Sequence, residues 1–188
     1  MMASVAAAKQ SIREIVAGSR VPEDPRHAED TLAWLRTLAP QADQAIQIAA
    51  LAHDIDRAVE AQKVQRADYK DYDVFKAAHA QHGAQMLQAI LERFTVAQPI
   101  ADEACRLVRL HEIGGDPRSD LLKDADSISY FKVNLPLYYQ REGWEETLRR
   151  SLWGYRRLSA SMRKIAQNIT YDNPSLTRLL REAIRRAQ

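Results

Sequence analysis

The 188 residues suffice for one domain with its own core, and 46% apolar with 28% charged residues is an ordinary globular balance. No apolar run approaches the roughly 20 residues that cross a bilayer, and one cysteine, Cys105, excludes an internal disulfide framework. No membrane association is expected, the amino terminus lacks the basic region of a signal peptide, and a cytoplasmic location follows as the expectation.

Glycine is scarce while Ala, Leu, Gln, Glu and Arg abound, so the chain favours helix throughout. A first helix is expected over residues 5–17, stopped by Gly18. VPEDPRH reads as a turn before a second helix bearing His27, Leu32, Trp34, Leu35 and Leu38, closed by Pro40. A third helix, 43–54, is apolar on several sides and therefore central. Residues 60–72 are polar and read as a loop over one face. A fourth helix spans 73–94, a fifth 99–111 ahead of the loop GGDPRSD, and a sixth begins near 121. From 144 to 169, Trp144, Leu148, Leu152, Tyr155, Leu158, Met162, Ile165 and Ile169 recur at spacings of three and four. That predicts one long helix, with the arginines between them on a solvated face. Asn173-Pro174 precedes a short last helix. Strand signals are absent, which gives an all-α bundle in one domain, 1–188, with a motif-bearing part over about 20–135 and helices of 141–188 packed on it.

Charge divides unevenly along the chain. From residue 141 onward there are 11 basic and 5 acidic residues, against 16 and 20 before it. The basic end reads as a solvated helix face, so a nucleic-acid partner is not expected, and the 144–169 stripe suits a homodimer interface as readily as a core.

Four of the five histidines stand in an order with chemical meaning: His27 alone, then His53-Asp54, His79, His111, and finally Asp126 within LLKDADSISYF. Imidazole with carboxylate suits divalent Mn, Fe, Co or Zn, one or two ions, rather than Mg or Ca. His53 and Asp54 close the most apolar helix, where buried polar side chains need partners, and a metal ion is one.

These residues resemble the HD superfamily of metal-dependent phosphohydrolases, helical proteins, over residues 27–131. The resemblance rests on His27, on ALAHDID and on KDADSI, with Asp126 rather than Asp124 as the late acid. It implies that His27, His53, Asp54 and Asp126 ligate one metal. HAQHGAQML and VRLHEIGGD resemble segments that supply a second metal with histidines, here His79 and His111, with Asp54 bridging. Gly83, one turn after His79, reads as a place where a missing side chain lets another helix approach. Asp54 and Arg57 are the implied catalytic residues. Arg57 stands where several HD proteins carry a phosphate-contacting Lys and where others, nucleotidases among them, carry a Glu. Arg57, His82 and Tyr130 are the expected contacts to a small phosphorylated substrate; Asp124 is read as supporting Asp126 or starting a helix, and Arg156 and Arg157 as solvated. Two further readings share the resemblance: a mixed-valent di-iron oxygenase of the same fold, and a non-catalytic HD ligand-binding or signalling module.

Overall fold

The computed structural model describes residues 2–188, and among these every regular element is helical. Helix α1, Met2–Ala17, ends where Gly18 N–H donates to the Ile15 carbonyl. Helix α2, Asp24–Leu38, begins inside the expected VPEDPRH turn, because Pro25 in the first helical turn has no N–H to leave unpaired. His27 therefore lies on α2, as expected, at the end of its first turn. Helix α3, Gln44–Ala52, is capped by the Asp43 side chain, which accepts the Ile46 N–H at 3.2 Å. It stops at Ala52, two residues before the expected end. His53 and Asp54 form the corner into the single-turn helix α4, Ile55–Ala58.

The polar stretch that follows contains only a 3-10 turn, Arg66–Asp68. Helix α5, Tyr72–Arg93, starts on an Asp71 cap, and α6 spans Gln98–Leu110. Helix α7, Pro117–Ser129, opens four residues earlier than expected. Within GGDPRSD, Asp116 and Ser119 form a capping box, so the loop supplies its own helix start. A π-helical turn, Tyr130–Asn134, carries α7 into α8, Leu135–Arg157. Gly143 breaks α8 with φ 75°, a conformation that favours glycine, so its second part begins at Trp144.

The long helix expected over 144–169 is two helices. Leu158 is extended and Ser159 caps α9, Ala160–Ala166, by accepting the Met162 N–H. Breaking there sends Leu158 and Met162, both buried, into one apolar cluster, which a straight helix would not require. Helix α10, Pro174–Ala187, is a full 14 residues, with Leu176, Leu179, Leu180, Ala183 and Ile184 on its buried face. It covers the α8 stripe, so that stripe belongs to the chain's own core and gives no basis for a dimer.

The apolar interior has two parts. One surrounds α3, whose Ile46, Ile48, Ala49, Ala50, Leu51 and Ala52 are all buried against α1, α2, α6 and α7. The other joins Phe131, Leu148 and Tyr155 to α9 and α10. Trp34 and Leu38 of α2 pack against both. The corner at His53-Asp54 thus hangs from the most enclosed helix, and a buried helix of this kind holds its end with little freedom. Among the described residues no helix is long and apolar enough to cross a membrane.

Candidate metal centre

Four elements deliver donors to one buried region: α2 brings His27, the α3–α4 corner His53 and Asp54, α5 His79, and α7 Asp126, with His111 just past α6. Each imidazole has its Nδ1 committed elsewhere. His53 Nδ1–H donates to the Ala50 carbonyl at 2.9 Å and His111 Nδ1–H to the Val108 carbonyl at 2.7 Å. His27 Nδ1 meets Ser129 Oγ at 2.9 Å, while that hydroxyl donates to the His27 carbonyl, so it accepts from the ring. His79 Nδ1–H donates to Asp56 Oδ2 at 2.8 Å. Tautomers assigned from these partners leave all four Nε2 atoms as inward-facing lone pairs.

Those lone pairs converge. His27 Nε2 and His53 Nε2 are 3.1 Å apart, and Asp126 Oδ1 lies 3.1 Å from the first and 3.6 Å from the second. Asp54 Oδ2 stands 3.8 and 3.7 Å from the same two nitrogens. Donors about 2.1 Å from a shared ion sit roughly 3.0–3.5 Å from one another, so the first group could hold a metal ion. Asp54 turns its other oxygen to a second group: Oδ1 lies 2.9 Å from His79 Nε2. His111 Nε2, fully buried, has no hydrogen-bonding partner among the described residues. Asp54, His79, His111 and Glu112 offer donor atoms within 4.8 Å of one another, as do His27, His53 and Asp126. Asp54 therefore faces both groups.

Two facing imidazole lone pairs repel unless a cation lies between them. Burial disfavours charge on His53, yet the Asp54 and Asp126 carboxylates outweigh it and lift this histidine to about 9. Burial likewise pushes Asp126 up, but His27, His53 and Arg157 hold it well below the usual carboxylate range. The region demands positive charge, which a proton supplies in part and a divalent ion supplies in full.

Glu112 was not singled out by its sequence. It is buried, ion-paired with Lys76 Nζ and at 3.0 Å with Arg157 Nη1, and lies 3.1 Å from His111 Nε2. Arg157 also donates to the His111 carbonyl at 2.9 Å and reaches Asp126 Oδ2 at 3.4 Å. Its assignment to a solvated face is thus corrected: the side chain is 9% exposed because α8 ends there and turns it inward.

Beside the donors opens a cavity of about 400 Å³. His27, Asp54, Arg57, His79, Asp126 and Tyr130 all line it, as do residues 63–66 of the polar loop. Arg57 donates to Asp54 Oδ2 at 2.7 Å and Asp24 Oδ1 at 2.6 Å, and Asp24 in turn accepts from Ser19 Oγ. His82, expected as a substrate contact, is not among the residues that line this cavity. It donates to Asp56 Oδ1, so it helps to hold the carboxylate that orients His79. Sequence spacing could have found this, since His79 and His82 are three apart on α5 and share one face.

Asp124 is neither a support for Asp126 nor a helix start. Its Oδ1 accepts the Ser159 N–H at 2.8 Å, tying α7 to the turn before α9. Asp124→Ala should lower stability by about 1 kcal/mol while metal content stays at the parent level; thermal melting and elemental analysis read the two. Gly83 also departs from expectation. A Cβ there would lie 3.7 Å from the His53 carbonyl oxygen and from Val108 Cγ1, ordinary contacts. Close approach does not require glycine, and Gly83→Ala in mid-helix should stabilise by up to about 1 kcal/mol, read from the denaturant midpoint.

No curated protein and no solved structure matches the chain. A family model described as "Domain of unknown function (DUF4202)" matches residues 3–179, which includes every donor above. The chain belongs to the DUF4202 family.

Proposed function

We propose that this protein is a metal-dependent phosphohydrolase of the HD superfamily, acting on a small phosphorylated metabolite or nucleotide. The observation that carries the reading is the pairing of two donor groups, shared through Asp54, with a cavity whose wall is rich in Arg and Lys. His27, His53, Asp54 and Asp126 would hold one ion, and Asp54, His79 and His111 a second. A divalent ion in such a place lowers the pKa of water toward neutrality and offsets charge on phosphate oxygens.

The chain's own residues do the rest. The Nδ1–H bonds of His27, His53, His79 and His111 fix the direction of each ring. Arg57, on the wall, donates to Asp54 and Asp24 through its two Nη atoms and would offer a phosphate the N–H groups that those bonds leave. Lys76 and Arg157 neutralise Glu112 behind His111, so positive charge remains available to an anionic substrate.

The test is phosphate release from p-nitrophenyl phosphate and a panel of sugar and nucleoside monophosphates by Mn-loaded protein, with elemental analysis alongside. Turnover requiring metal and indifferent to oxygen is the expected result. Two irons per chain with oxygen-dependent turnover would replace this reading by the di-iron oxygenase, and a loaded centre without turnover on any substrate by the binding module.

A further inference from the structure

The cavity wall carries a second recognition point that the metal donors leave unexplained. Six cations line it, and five are engaged. Arg57 holds Asp54 and Asp24, Lys63 holds Glu60, Arg66 donates to the Tyr69 carbonyl, Lys76 pairs with Glu112, and Arg149 with Glu146. The sixth, Arg150, has no carboxylate or carbonyl partner among the described residues. Its guanidinium lies 4.7 Å from the Tyr130 ring centre and 4.4 Å from that of Trp153. Aromatic contacts of this kind orient a guanidinium plane and leave its N–H groups free.

A second orphan stands nearby on the same wall. Asn134 is 5% exposed, and its Oδ1 accepts no hydrogen bond among the described residues. Tyr130 and Asn134 are the first and last residues of the π-helical turn after α7, a widened geometry frequent at functional sites. A buried carboxamide oxygen without a partner is costly in a finished fold, and Arg150, half-buried on the cavity wall, has no hydrogen-bonded anion among the described residues. Both deficits are met by one ligand that brings an anionic group and a hydroxyl or amino donor together.

We infer that this wall, Tyr130, Asn134 and Arg150, binds the organic part of the substrate, and that the substrate is a hydroxylated phosphate ester carrying a second anionic group. The second anion, carboxylate or phosphate, pairs with Arg150, and a neighbouring hydroxyl donates to Asn134 Oδ1. This rests on the reading of the donor groups as the place where the ester phosphate sits. With that phosphate at Asp54 and Asp126, the remaining wall meets the rest of the molecule.

Matched pairs of probes test it by isothermal titration on Mn-loaded full-length protein. Glycerol 3-phosphate against 3-phosphoglycerate adds a carboxylate; fructose 6-phosphate against fructose 1,6-bisphosphate adds a phosphate. The doubly anionic member of at least one pair should bind about tenfold tighter, and which pair responds identifies the anion. In Arg150→Gln that ratio should fall below two, with circular dichroism confirming the fold. Asn134→Ala should weaken both members of the responding pair severalfold and leave their ratio standing. No preference in the parent protein, undetectable binding included, or a preference that survives Arg150→Gln, overturns the inference. If Arg150→Gln does not fold, unchanged affinities in Asn134→Ala overturn it and the predicted loss upholds it. Phosphate release from p-nitrophenyl phosphate separates the two readings: a preference dependent on Arg150 without turnover removes the hydrolase and keeps the subsite. Turnover without preference does the reverse.

Discussion

Under the proposed two-metal hydrolase reading, Asp54→Ala is expected to empty both donor groups at once: metal content after dialysis should fall below about a tenth of the parent value, and phosphate release by on the order of a thousandfold or more. The reason is geometric. Asp54 Oδ2 stands 3.7–3.8 Å from the His53 and His27 nitrogens, and Oδ1 stands 2.9 Å from that of His79. Removing the carboxylate takes one donor from each group and one negative charge from between them. It also leaves Arg57, now held by Asp24 alone, beside a region that must accept a cation. Asp54→Asn keeps the shape but not the charge, so it should retain more metal than Asp54→Ala and less than the parent. If Asp54→Ala keeps one tightly bound ion per chain, the two groups do not share this residue.

Arg157→Met should be the most destabilising single change outside the apolar core. Its guanidinium lies between Glu112 at 3.0 Å and Asp126 at 3.4 Å, and it caps the His111 carbonyl. Burial raises Glu112, whereas Lys76 and Arg157 hold it well below the usual carboxylate range. Taking one partner from a buried charge cluster typically costs about 3–5 kcal/mol, roughly 10 °C of Tm for a chain of this size. The loss should be larger in chelator than with metal bound, because an ion partly replaces the missing positive charge. A Tm within about 2 °C of the parent in chelator would mean that Arg157 is solvated in solution, as its place in a run of surface-like arginines suggests.

Helix content and most element positions were legible because they depend on local preferences: helix-forming composition, caps, prolines and apolar spacing. Two helices, α2 and α7, start earlier than their turn-like sequences suggest, at Asp24 and Pro117, because a proline is admitted in the first helical turn. The break at Leu158 was hidden for a different reason. Leu158 and Met162 continue the spacing of a straight helix, and the Ser159 cap, the position of α10 and the Asp124–Ser159 bond together make a turn favourable there. Gly83 failed in the opposite direction, since the neighbouring backbone is close enough to suggest crowding but far enough for a methyl group.

The candidate donors were legible from residue type, order and the resemblance to HD motifs, since imidazoles and carboxylates advertise their chemistry wherever they stand. By itself the sequence determined the all-α class, and its resemblance to HD motifs supplied the candidate roster His27, His53, Asp54, His79, His111 and Asp126, which the fold brings into one region. Tertiary structure alone decided that Glu112, Lys76 and Arg157 back His111, that His82 serves Asp56, and that Arg150 and Asn134 Oδ1 line the cavity without a hydrogen-bonding partner among the described residues. An arginine reads alike on a solvated face and in a buried pair; what distinguishes them is the nearest carboxylate, and that is set by how distant helices pack.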